Sequence, residues 1–164
     1  MKILLIMRHA KSSWEDPTIP DHDRPLNNRG KKDAPRMGKL LKDINLIPDI
    51  LISSTARRAE MTAKKVAKSC QYHKDIIFKA SLYSAGPATL VKELKMIEEE
   101  GNYTALLVGH NPGVEEFVEY LTDKIETLPT SAVVQIELPI NKWNDLDNKT
   151  KGSIVNIWRP KELN

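Results

Sequence analysis

The chain of 164 residues is 40% hydrophobic and 29% charged, the balance of a soluble globular protein long enough for one real core. Its formal charge of +3 is too small and too evenly spread for a nucleic-acid binder, and no stretch approaches the ~20 apolar residues of a spanning helix. A single cysteine, Cys70, excludes an intramolecular disulfide and suits a reducing compartment, where a lone thiol packs as a small apolar group. The expectation is one domain over residues 1–164, cytoplasmic, with neither nucleic acid nor membrane as partner.

Residues 2–7 read as a buried strand; the run is too short for a signal peptide and ends at Arg8-His9. Ala34, Met37, Leu40, Leu41 and Ile44 then recur at helical spacing. A second apolar run, Ile50–Ser53, leads into a second helical stripe, Ala59, Ala63, Val66, Ala67 and Cys70. Gly86-Pro87 opens a third stripe at Leu90, Val91, Leu94 and Ile97, with proline where a first helical turn tolerates it. After the strand Ala105–Gly109, a fourth helix carries Val114, Phe117, Val118 and Leu121. Ala132–Leu138 and Ser153–Trp158 read as late strands joined through the polar stretch 141–152. Continuous rather than alternating hydrophobicity in the early strands places helices on both sheet faces. The fold class is α/β, a three-layer α/β/α sandwich around a mostly parallel sheet.

Ligands of such sheets gather where strands end, and the chemistry-bearing side chains fall there. Arg8-His9 ends the first strand, Ser53-Ser54 the second, and His110-Asn111 follows Leu106-Leu107-Val108-Gly109. A lone strand-end histidine is ordinarily a polar cap; three such ends go beyond what packing requires. Arg58 lies one residue before its helical stripe begins, so it is assigned inward, whereas Arg57 is read as solvated. An arginine in a first helical turn opposes the local dipole unless an anion binds there. Gly109 and Gly113 are expected to let backbone approach a ligand. His9, His22, His73 and His110 include no close pair, and Cys70 lies on an apolar stripe, so no metal or other cofactor is expected.

Taken together, Arg8-His9, the segment Ser54-Thr55-Ala56-Arg57-Arg58-Ala59-Glu60-Met61-Thr62 and Gly109-His110-Asn111-Pro112-Gly113 resemble the histidine phosphatase superfamily. Within it the chain is similar to small SixA-type phosphohistidine phosphatases, a likeness extended by Arg24-Pro25-Leu26-Asn27-Asn28-Arg29-Gly30 and Thr130-Ser131-Ala132. The resemblance implies a phosphoglycerate mutase-like fold, here without a large cap insertion. It implies His9 as nucleophile, with Arg8, Arg58 and His110 completing a phosphate pocket and Ser54 and Asn111 joining its substrate-binding residues. Ala10 stands where the superfamily usually has glycine and is expected to be tolerated. The carboxylate general acid that the family often places after its third strand has no counterpart between Ala80 and Ala88. Glu15, Asp16, Asp21 and Asp23 lie in the loop after His9, within reach of the site, though each individually is read first as part of a solvated acidic loop.

The leading expectation is a metal-independent phosphatase that passes a phosphoryl group through a covalent phosphohistidine. Its expected substrate is phosphohistidine on a phosphorelay or phosphotransfer protein, with free oxyanions binding the same pocket. A small-molecule phosphomonoesterase of the same superfamily and a non-catalytic phosphoprotein-binding module stay open as alternatives.

Overall fold

The computed structural model describes residues 1–163. Six strands, β1 (Lys2–Arg8), β2 (Ile50–Ser54), β3 (Ile77–Lys79), β4 (Thr104–Gly109), β5 (Val133–Leu138) and β6 (Ser153–Trp158), form one sheet. Their order is β3-β2-β4-β1-β5-β6. Pairings β2·β3, β2·β4 and β1·β4 are parallel, and β5 runs against both β1 and β6. Only β5 is therefore reversed, and the sheet is mostly parallel, as the unbroken apolar runs predict. β3 is three residues long, too short to announce itself by periodicity.

Helices α1 (Asn28–Asp43) and α2 (Arg57–Cys70) cover one face, and α3 (Pro87–Lys95) and α4 (Gly113–Thr122) the other. Alternation within a strand divides the core. Leu4 and Ile6 pack toward α3 and α4, while Leu5 and Met7 pack toward α1 and α2. Both sets are fully buried, which is why β1 reads as a continuous rather than an alternating run. Cys70 is the last residue of α2 and is buried. α1 begins on an Asn27 cap whose side chain accepts the Gly30 N–H at 2.9 Å. α3 begins with Pro87, whose missing N–H costs nothing in a first turn.

The register builds one locus at the carboxyl ends of the strands. Arg8 pairs with Gly109, so His9 and His110 emerge side by side, and the His9 N–H donates to Gly109 O at 3.0 Å. Ser53 pairs with Val108, which brings Ser54 up to the same edge. Because β5 is antiparallel, its amino end lies at this edge too, and Ser131 N–H bonds the carbonyls of Arg8 and His9 at 3.1 Å each. No helix among the described residues is long and apolar enough to cross a membrane.

Candidate active site

His9 is 7% exposed and sits just past β1. Its Nδ1 lies 2.7 Å from Ala10 O. A carbonyl only accepts, so Nδ1 carries the proton and Nε2 keeps its lone pair. Among the described residues no hydrogen bond is made to Nε2. Burial pushes this imidazole down to about 3; the Ala10 bond opposes that, and His110, Arg58 and Arg8 lower it further. His9 is accordingly neutral at physiological pH.

His110 faces it, with ring centroids 5.0 Å apart. Its Nε2 is 2.8 Å from Ser54 Oγ, which already accepts the Ala56 N–H at 3.2 Å. The Ser54 hydroxyl has no other acceptor among the described residues, so it donates to His110 Nε2, which leaves Nδ1–H as a buried donor without an acceptor among them. Burial, reinforced by Arg58, pushes His110 down to about 4. Arg8 is half-buried, with Nη1 on Leu128 O at 3.0 Å and Nε without a protein acceptor. Leu128 is itself fixed, because Glu115 Oε2 takes its N–H at 2.7 Å and the Asn111 amide at 2.9 Å.

Arg58 points inward from the first turn of α2 and is 7% exposed. Its Nη1 donates to Asp21 O at 2.7 Å and its Nη2 to Asp21 Oδ2 at 3.1 Å, while Nε is buried and unpartnered. Thr62, one turn on, accepts the Ala10 N–H at 2.9 Å and donates to Arg58 O at 2.7 Å, tying α2 to the loop that carries His9. Arg57 is exposed, as expected. Ala10 is fully buried against the α1–α2 side of the core and has a negative φ, so nothing at this position demands glycine.

Three expectations meet a different geometry. Asp21 is exposed like its loop neighbours but does more than meet solvent: besides Arg58 it is held by Arg24, whose Nε and Nη2 reach Oδ1 at 3.2 and 3.0 Å, and by the Tyr83 hydroxyl on Oδ2. Gly109 and Gly113 make room for protein rather than ligand. A Cβ on Gly113 would lie 2.2 Å from Ala85 O, and one on Gly109 would lie 3.0 Å from Val114 Cγ1. Ser54 and Asn111 are turned to protein partners, Ser54 to His110 and Asn111 to Glu115 and Leu128 O. They reach the pocket through the groups that they hold in place.

Arg24 and Tyr83 also border the site, though no strand-end position marks either as a site residue. The signal for Arg24 lay in the Arg24–Gly30 segment, whose arginine is buried between Asp21 and Ser12 Oγ, the latter at 2.9 Å. Tyr83 follows β3 in the stretch that lacks a carboxylate, and its ring stands edge-on to His22 and His110. Among the described residues no three His, Cys, Asp or Glu side chains converge as metal ligands.

Residues 4–83 match the profile of the histidine phosphatase superfamily, branch 1. Protein Rv1276c of Mycobacterium tuberculosis is 31% identical over 152 residues, which cover 86% of this chain and 92% of that one. The chain belongs to the histidine phosphatase superfamily. Among solved structures, a SixA protein histidine phosphatase complexed with tungstate superimposes with a TM-score of 0.84 at 22% identity, covering 99% of both chains. A structure from Agrobacterium tumefaciens, assigned as a phosphohistidine phosphatase SixA, superimposes with 0.81 at 25% identity, covering 97% of this chain and 98% of that one. The three-layer sandwich is thus the superfamily's phosphoglycerate mutase-like, SixA-type fold.

Proposed function

We propose that this histidine phosphatase superfamily member removes phosphoryl groups from phosphohistidine on a phosphorelay or phosphotransfer protein, in the cytoplasm, without a metal. The observation that carries the reading is a set of buried donors lacking acceptors among the described residues, Arg8 Nε, Arg58 Nε and His110 Nδ1, beside an imidazole whose Nε2 makes no hydrogen bond among them. Buried donors without acceptors are costly. A phosphoryl group supplies three acceptor oxygens and the negative charge that the two guanidiniums match.

In this reading His9 Nε2 attacks phosphorus in line, the bond to the substrate nitrogen breaks, and that nitrogen takes the bonding pair. Arg8, Arg58 and His110 stabilise charge on the equatorial oxygens through the transfer. Ala10 O keeps hold of the His9 Nδ1 proton throughout. Water then attacks phosphorus and displaces His9 Nε2, giving phosphate and the starting tautomer. Ser54 positions His110, and Asn111 with Glu115 positions the Leu128 carbonyl that Arg8 grips.

The substrate class follows from proton accounting. An alkoxide leaving group needs a general acid, and the stretch after β3 offers none. A phosphorylated imidazole collects its proton from water before the transfer. Support also comes from the SixA-type structures, which share this fold and bear phosphohistidine phosphatase names. The test compares a histidine-phosphorylated phosphotransfer protein, para-nitrophenyl phosphate and an alkyl phosphate, each with a chelator present. We expect turnover of the first to lead, undiminished by chelation, and His9→Ala to lower it by roughly 10³-fold or more. Preference for the alkyl phosphate, or loss of activity on chelation, would overturn the reading.

A further inference from the structure

Asp21 stands at the rim of the phosphate pocket with its side chain about half exposed, 53%, yet each carboxylate oxygen is engaged. Oδ1 takes two bonds from Arg24, whose guanidinium is buried and stacked on the Trp14 ring at 3.6 Å. Oδ2 is shared between Arg58 and the Tyr83 hydroxyl. A phosphoryl oxygen arriving at the Arg58 Nη atoms competes with Asp21 O and Oδ2, while Arg24 on Oδ1 keeps the carboxylate in place. Asp21, half exposed against an Arg58 side chain that is 8% exposed, is the more solvent-facing member of the pair, and so the one open to a group that approaches from outside.

A carboxylate there has two possible duties, and its surroundings choose between them. As a proton donor it would have to be protonated, but the Tyr83 bond, Arg24 and Arg58 hold it well below the usual carboxylate range. An acid that is empty of protons cannot serve an alkoxide. A fixed anion, by contrast, suits a leaving group that arrives as a cation. Resting on the phosphohistidine reading above, we propose that Asp21 is the residue that recognises the leaving group: it accepts the Nδ1–H of a substrate imidazole phosphorylated on Nε2. It thereby favours the protonated ring, from which the Nε2–P bond breaks with its electron pair going to Nε2 and neutral imidazole departing. No enzyme proton is consumed, because the ring brings its own from solvent. Towards a phosphate ester the same carboxylate only competes for Arg58. Asp21 is thus a specificity determinant for phosphoramidates.

The experiment measures kcat/KM of wild type, Asp21→Asn and Tyr83→Phe on a peptide phosphorylated at histidine Nε2 and on para-nitrophenyl phosphate, after thermal melts establish that each variant is folded. For Asp21→Asn we expect a fall of about 10- to 100-fold on the phosphohistidine peptide and a rise on the aryl ester, since the competing anion is gone. Tyr83→Phe, which keeps the charge, lowers the ratio of the two less than Asp21→Asn does. Equal losses on both substrates, a greater loss on the ester, or an equal shift of the ratio by Tyr83→Phe each overturn the assignment. Wild type that hydrolyses the ester but not the peptide instead sinks the phosphohistidine reading itself, so the two failures are distinguishable.

Discussion

His9 meets two requirements that ordinarily conflict, a buried polar ring and an unencumbered nucleophilic nitrogen. The conflict is resolved by sequence-local means, since the next residue's carbonyl takes the only proton. The same burial makes a prediction about stability. His9 at about 3 and His110 at about 4 both lie below the ordinary imidazole value of 6.5. The folded state therefore binds these protons less tightly than the unfolded chain. Their contribution is fully present above about pH 6.5 and is lost as pH falls toward the folded values. Urea titrations at pH 7 and about pH 4.5 should differ by on the order of several kcal/mol, and His9→Gln should flatten that slope; equal stability at both pH values would contradict the burial account. Activity should likewise keep its neutral-His9 form down to about pH 3 in the free enzyme. Arg8, His9 and His110 stood out at strand ends and Arg58 in a first helical turn, but each segment alone was a weak signal, and their joint roles came from the resemblance to the histidine phosphatase superfamily. Asp21 was not legible. Four acidic residues follow His9, and which of them reaches the site is decided by Arg58 and Tyr83, 37 and 62 residues further on, contacts that no local spacing encodes.

At the scale of elements, the site depends on how α2 and the loops grip the end of β1. Thr62 is the link, joining Ala10 N–H to Arg58 O across the two segments. Thr62→Val keeps the shape but orphans a buried N–H, at a cost of about 1–3 kcal/mol. It should also lower kcat by loosening Arg58 and His9 together, a loss read from melting and kinetics on one preparation. Gly38 supplies a contrast. It lets α1 approach α2, where a Cβ would fall 2.6 Å from Val66 O, far from the chemistry. Gly38→Ala should destabilise by roughly 1–3 kcal/mol while the folded fraction keeps wild-type kcat. If Gly38→Ala reduced kcat as much as Thr62→Val, the proposed coupling through Thr62 would be wrong. The helices were legible from their apolar stripes and caps. β3, three residues at the sheet edge, was not, because so short a segment shows no period.

Across the whole molecule, the strand order explains why residues from positions 8 to 131 meet. β4 inserts between β2 and β1, so the ends of three parallel strands become neighbours, and the reversed β5 delivers Ser131 to the same edge. Ser131 holds a left-handed φ of 68° there, a strained backbone for a residue with a Cβ, beside the catalytic candidates. Alternating apolar runs and stripes revealed the layers, but the order of strands comes from crossovers that one sequence leaves open. Everything converges on a single nitrogen. The most direct test is to quench the protein during turnover of a phosphohistidine substrate and map the acid-labile, base-stable phosphate by mass spectrometry and ³¹P NMR. The account predicts phosphate on Nε2 of His9 and none in His9→Ala. Phosphate on Nδ1, on another residue, or on none while turnover proceeds would contradict it.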